Sequence, residues 1–74
     1  MSKLLQARTD AKIRTHADML KILQDEEGVK LTDPSIISHY EAGRVTPPTN
    51  TSIAIVRVLR RRKVLTSVED LFGL

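Results

Sequence analysis

Three polar side chains at helical spacing, Ser35, Ser38 and His39, have the chemistry in this chain most suited to contacting another molecule. At about 100° per residue, the i, i+3, i+4 spacing places them on one side of a predicted helix. A serine hydroxyl donates and accepts, and histidine offers a ring nitrogen, so these residues can hydrogen-bond to base edges or phosphates. The alternative is an ordinary solvated helix face, because serine and histidine are common on protein surfaces.

The helix that positions these side chains is predicted to span about residues 34–41. Its opposite side is apolar and is expected to pack on the core through Ile36, Ile37 and Tyr40. Asp33 offers a carboxylate as the N-cap, and Pro34 suits the first helical position, where its missing N–H is not needed. The helix is expected to end near Glu41, with Gly43 as its stop. A protruding helix with short polar side chains fits the major groove of DNA.

Two helices are predicted before this one. Ser2 caps a first helix that runs to about Ile13, and Thr15 with Asp18 forms a capping box that opens a second. The second helix is expected to end at Gly28, because glycine readily adopts a left-handed C-terminal turn. Three acidic residues precede that glycine and oppose the helix macrodipole, so the last turn is expected to be weak.

Two further helices complete an all-α prediction, since no segment shows the sustained alternation typical of a β-strand. Residues 44–50 contain two prolines and are predicted to form a loop. A fourth helix then starts at Thr51 or Ser52. A short fifth helix is capped by one of two pairs, Thr66 with Glu69 or Ser67 with Asp70.

Composition limits the class of protein. The 74 residues suffice for one small domain, 41% hydrophobic, in which the two aromatic residues, Tyr40 and Phe72, are predicted to belong to the core. There is no cysteine, and the two histidines lack metal-site spacing, so we expect no cofactor. No acid pair, nucleophile–base pair or phosphate-binding glycine loop indicates an enzyme. No apolar run approaches the roughly 20 residues of a membrane span and no signal peptide is recognisable, so we expect a cytoplasmic protein.

The positive charge is unevenly distributed. The net charge is +3; residues 1–33 are balanced, and residues 34–74 carry the whole excess. This excess favours a polyanionic partner. Its densest part, Arg57 with residues 60–63, has two interpretations. It either suits the dipole at a helix C-terminus and keeps the surface soluble, or it binds phosphate or an acidic protein.

One longer motif narrows the interpretation. Residues 37–47, I-S-H-Y-E-A-G-R-V-T-P, resemble the signature of the Cro/repressor (XRE-like) helix-turn-helix family. Residues 65–72, L-T-S-V-E-D-L-F, are similar to the closing helix of that family, and Thr15 matches the usual start of its second helix. The resemblance implies one compact five-helix, lambda-repressor-like helix-turn-helix domain over residues 1–74. It also implies a small regulator of phage or mobile-element type.

The resemblance assigns roles to particular residues. The base-reading positions of the family fall on Pro34, Ser35, Ser38 and His39. Its phosphate contacts fall on Thr15, His16, Arg44 and Thr46. Glu41 corresponds to a family residue that commonly pairs with an arginine of the first helix, and Arg8 is the matching partner. The implied partner is a double-stranded DNA operator, bound by a homodimer or by a complex with another repressor protein.

Two departures from the family keep a second function open. The connection between the second and third helices, residues 24–32, is longer than the family's turn of a few residues. Pro34 has no side-chain donor, and no arginine or glutamine is present to make bidentate base contacts. The alternative to a DNA-binding regulator is therefore an antirepressor or modulator that binds a partner repressor through a helix-turn-helix-like fold.

Overall fold

Five α-helices account for most of residues 2–73, the part of the chain that this computed structural model describes. Within that part there is no β-strand, and the predicted all-α class is confirmed. The helices are α1 (Lys3–Asp10), α2 (His16–Glu27), α3 (Ser35–Glu41), α4 (Thr49–Arg61) and α5 (Val68–Phe72). The Cα radius of gyration is 10.7 Å, near the value of about 11 Å expected for a compact chain of this length. Met1 and Leu74, the ends of the predicted domain, lie outside the described residues.

The core is aliphatic and receives side chains from all five helices. Its fully buried large apolar residues are Leu4, Met19, Leu23, Ile37, Ile55, Val58 and Leu59. Tyr40 is also buried, and Phe72 packs against the core while partly exposed, so the core roles predicted for the two aromatic residues are confirmed. Each fully buried aliphatic side chain contributes about 1.5–3 kcal/mol to folding. The core therefore fixes α3 through Ile37 and Tyr40.

Side-chain caps begin three of the helices where the sequence predicts them. The hydroxyls of Ser2, Thr15 and Ser67 accept hydrogen bonds from backbone N–H groups three residues later, at 3.0–3.1 Å. Of the two pairs predicted for α5, the pair with Ser67 is therefore the one that forms. Gly28 and Gly43 both have left-handed backbones, with φ of 65° and 74°, and follow α2 and α3 as predicted.

The first helix is shorter than its apolar pattern predicts. It ends at Asp10 and not near Ile13, because Lys12 takes a left-handed conformation with φ of 65°. The chain then turns back, and the Ile13 N–H donates to the Arg8 carbonyl at 3.1 Å. Ile13 still reaches the core, with 3% of its surface exposed. Its apolar side chain therefore indicates a buried position and not a continuation of the first helix.

The fourth helix begins earlier than predicted, at Thr49, directly after the extended Pro48. The start predicted at Thr51 or Ser52 is wrong because both residues lie inside the helix and are buried. The Ser52 N–H donates to the Pro48 carbonyl at 2.9 Å, which is an ordinary helical bond. Its hydroxyl donates to the Pro47 carbonyl at 3.3 Å, and this bond ties the incoming loop to α4.

The connection between α2 and α3 comprises residues 28–34 and is held in place. Val29 and Leu31 pack against the core, and the Gln24 side-chain amide donates to the Leu31 carbonyl at 2.7 Å. Asp33 caps α3 as predicted, since its carboxylate accepts from the Ser35 N–H at 3.0 Å. The helix itself starts at Ser35, one position later than predicted. We call residues 28–34 the connector.

Candidate nucleic-acid interface

A buried ion pair fixes the C-terminal end of α3. The Arg8 Nε lies 2.6 Å from Glu41 Oε2, and only 8% and 9% of the two side chains are exposed. Arg8 also donates from Nη1 to the Ile13 carbonyl at 2.9 Å. The pairing expected from the family resemblance therefore forms in this chain. It joins the last turn of α3 to α1 and to the turn that follows α1.

A histidine completes this cluster. His16, the first residue of α2, places Nε2 2.9 Å from the other carboxylate oxygen of Glu41. Sequence reasoning gave His16 a phosphate contact and missed this bond, because the two residues are 25 positions apart. About a third of the His16 side chain remains exposed, 35%. Arg8, His16 and Glu41, which we call the Glu41 cluster, thus connect α1, α2 and α3.

The two sides of α3 differ as the helical pattern predicts. Ile37 and Tyr40 are buried, while Ser35 and Ser38 are exposed to solvent. His39 is half-buried, which leaves part of its ring accessible. Ile36 is also only half-buried and packs at the border of the core. On the buried side, burial of Tyr40 raises the pKa of its phenol. The exposed side of α3 carries the hydroxyl groups of Ser35 and Ser38 and the imidazole of His39.

The remaining predicted contact residues lie around this side or support it. Pro34 is half-buried directly before α3, between the capping carboxylate of Asp33 and the first helical residue, Ser35. Thr15 is exposed, and its hydroxyl caps α2 by accepting from the Asp18 N–H at 3.0 Å. Arg44 and Thr46 are exposed in the loop after α3. The Arg44 N–H donates to the His39 carbonyl at 3.0 Å, so the start of this loop is tied to the helix.

A hollow beside α3 contains residues that sequence reasoning missed. It has a volume of about 480 Å³ and lies between connector residues 30–33 and the α3 residues Ser35, Ile36 and His39. Lys30 and Thr32 are exposed at this hollow. Hydrogen bonds from Ser35 lower the pKa of Asp33, so its carboxylate is ionised at neutral pH. The alternation of apolar and polar residues in the connector was the signal that could have identified Lys30 and Thr32 as exposed.

Three arginines in or directly after α4 are paired with acids of α2. Arg62 Nη2 lies 2.7 Å from Glu26 Oε2, and Arg57 Nη1 lies 3.4 Å from Glu27 Oε1. Arg61 contacts both glutamates. We call these five residues the α2–α4 network. The hydrogen bond from Arg62 is the largest factor that lowers the pKa of Glu26. The helix continues to Glu27 and ends at Gly28 as predicted, and both glutamates of its last turn are paired with arginines.

The described residues contain no group of three or more histidine, cysteine, aspartate or glutamate side chains that could hold a metal ion. No helix in residues 2–73 is long and apolar enough to cross a membrane. Comparisons with protein-family models, curated proteins and solved structures give no match. The family resemblance therefore depends on the sequence motifs alone.

Proposed function

We propose that this chain is a small DNA-binding transcriptional regulator with a lambda-repressor-like helix-turn-helix fold, which inserts α3 into the major groove. The observation that carries the proposal is the arrangement of α3. Its inner side is buried through Ile37 and Tyr40, its end is fixed by the Glu41 cluster, and its outer side presents Ser35 and Ser38. A helix held in this way can offer hydrogen-bonding groups to base edges without rearrangement.

Short side chains give this interface a particular balance of contacts. Ser35, Ser38 and His39 can each make single hydrogen bonds to bases, whereas bidentate contacts are worth about 1–3 kcal/mol of discrimination each. Contacts with the phosphate backbone of DNA then supply much of the affinity, and they come from Arg44, Thr46 and Thr15. His16 acts mainly through Glu41, as a positioning residue. A homodimer on a pseudo-palindromic operator adds the specificity that one small module lacks.

The test is a selection of bound duplexes from a random-sequence pool, followed by gel-shift titration at two salt concentrations. Wild-type protein is expected to enrich a sequence and to bind it more weakly at higher salt. The variant Ser38→Ala/His39→Ala is expected to bind the selected duplex at least about fivefold more weakly, since one lost hydrogen bond is worth roughly 1 kcal/mol. Binding to a scrambled duplex changes little.

Gln6→Ala, a neutral change on the exposed surface of α1, is the matched control and retains wild-type affinity. Absence of any salt-sensitive DNA binding by the wild-type protein would overturn the proposal.

A second candidate function is modulation of a partner repressor, as an antirepressor that keeps the helix-turn-helix-like fold. The hollow beside α3 favours it, because half-buried Leu31 and Ile36 line that hollow next to ionised Asp33. Apolar surface bordered by charges of both signs is typical of protein contacts. The Ser38→Ala/His39→Ala variant separates the two functions. If this variant no longer binds a purified partner repressor, and the wild-type protein binds no DNA, the second function is favoured.

A further inference from the structure

The connector presents a lysine from a fixed position. Val29 and Leu31 pack against the core, while Lys30 and Thr32 are exposed. The bond from Gln24 to the Leu31 carbonyl, 2.7 Å long, holds the backbone between these two exposed residues. The Val29 N–H also donates to the Leu23 carbonyl at 3.3 Å. Lys30 therefore projects from an anchored backbone, which lowers the entropy lost when its ammonium binds a ligand.

Lys30 lies beside the exposed side of α3. It borders the 480 Å³ hollow that Ser35 and His39 border from the helix. No ion pair forms between Lys30 and another residue of the described part of the chain. Arg57, Arg61 and Arg62 differ, because they are paired with glutamates of α2. The charge of Lys30 is thus available for a polyanion, whereas three of the five cations in the densest basic cluster are paired within the chain.

Two cations lie near opposite ends of α3. Lys30 lies beside the N-terminal turn of α3, and Arg44 follows its C-terminal end. The helix has 7 residues, which corresponds to about 10 Å at a rise of about 1.5 Å per residue. The major groove of B-DNA is about 12 Å wide. Cations near the two ends of α3 can therefore contact phosphates on the two sides of one groove.

We propose that Lys30 binds a backbone phosphate of double-stranded DNA, with the Thr32 hydroxyl as a second donor, so that the connector is a second recognition element. The proposal rests on the proposed function and adds a contact that the helix-turn-helix resemblance does not supply, because that family has only a short turn here. Lys30 sets the position of α3 in the groove by fixing the strand on the connector side.

The experiment measures binding to a random-sequence 30-base-pair duplex over a series of salt concentrations, because phosphate contacts do not depend on sequence. Lys30→Gln is compared with Lys21→Gln, which makes the same charge change. Lys21 is exposed on α2, does not border the hollow and has one weak ion pair, 3.7 Å from Asp25. Lys30→Arg tests whether charge alone is sufficient.

The expected result for Lys30→Gln is a salt dependence whose slope is shallower by about 0.9 and an affinity roughly eightfold weaker at 0.1 M salt. Lys21→Gln and Lys30→Arg are expected to keep the wild-type slope. Melting temperatures should agree within about 4 °C, since all three substitutions are at exposed positions.

Two negative outcomes are distinguishable. If wild-type protein shows no salt-sensitive binding, the proposed function fails and this proposal fails with it. If wild-type protein binds with a clear salt slope but Lys30→Gln behaves as Lys21→Gln does, only the role of Lys30 is overturned. The hollow beside α3 would then be assigned to a protein partner.

Discussion

The Glu41 cluster and the α2–α4 network use the same pairing of arginine with glutamate at different degrees of exposure. In the Glu41 cluster, both members of the Arg8–Glu41 pair have less than a tenth of their side-chain surface exposed. In the α2–α4 network, the arginine side chains are 27–64% exposed. Of its two glutamates, Glu26 is 33% exposed and Glu27 only 7%. Solvent therefore screens the ion pairs of Glu26 more strongly than the Arg8–Glu41 pair.

The difference in exposure identifies the cluster that holds α3 in position. An exposed ion pair contributes about 0–1 kcal/mol, whereas breaking a buried pair by removing one partner costs about 3–5 kcal/mol. The Glu41 cluster joins α3 to two other helices, so its loss should disturb the helix that carries Ser35 and Ser38. The α2–α4 network holds the end of α2 and pairs three arginines of the basic cluster, and loss of its more exposed carboxylate, Glu26, should be tolerated.

The largest expected effect is that of Glu41→Ala. The substitution leaves the buried Arg8 guanidinium without its carboxylate, so we expect a loss of about 3–5 kcal/mol in the free energy of unfolding. Urea denaturation followed by circular dichroism measures this loss.

The control is the double variant Arg8→Met/Glu41→Leu, which replaces the pair with apolar side chains of similar size. It should be more stable than Glu41→Ala, because neither charge remains buried alone. A loss below about 1 kcal/mol for Glu41→Ala would mean that the Glu41 cluster is no stronger than a surface pair.

A smaller effect is expected for Glu26→Gln, which removes one carboxylate of the α2–α4 network. We expect a loss of up to about 1 kcal/mol in dilute buffer, and the loss should disappear near 1 M NaCl, where the screening length is about 3 Å. The same urea titrations at low and high salt measure both values. Glu69→Gln, on the exposed surface of α5, is the control. A loss that persists at high salt would contradict the distinction between the two clusters.

The smallest expected effect is on the melting temperature at low pH. Hydrogen bonding from Arg62 lowers the pKa of Glu26 below its ordinary value of 4.5, so the folded state binds fewer protons than the unfolded state as the pH falls. The stability from this group is fully present above about pH 4.5 and is lost as the pH falls through the lower folded pKa. Melting temperatures from pH 6 to pH 2.5 should therefore fall slightly less steeply for Glu26→Gln than for wild type. Parallel curves would show that the α2–α4 network does not perturb Glu26.

Local signals in the sequence predicted most of the fold. The caps at Thr15 and Ser67 and the stops at Gly28 and Gly43 depend on residues within one turn of each other, which a sequence displays directly. The errors arose where tertiary burial decides. Ile13 is apolar because it reaches the core from a turn. Ser52 has the chemistry of a cap, yet it is fully buried inside α4.

The candidate site was predictable on α3 and less so around it. Helical spacing predicted that Ser35 and Ser38 are exposed and that Ile37 is buried, and the structure confirms all three. The ion pair of Glu41 came only from the family resemblance, and the bond from His16 was missed. The partners of the α4 arginines, about 35 residues away, were also missed. Pairings over such separations depend on how helices pack, which spacing along the chain does not encode.

The two clusters also link the two halves of the described chain. Residues 2–33 contain Arg8 and the glutamates of the α2–α4 network, whereas residues 34–73 contain Glu41 and the arginines of that network. The bonds span 33 and 36 residues, so both close loops of nearly equal entropy. Neither half of the described chain can therefore complete either cluster without the other, so each cluster forms only when residues from both halves come together.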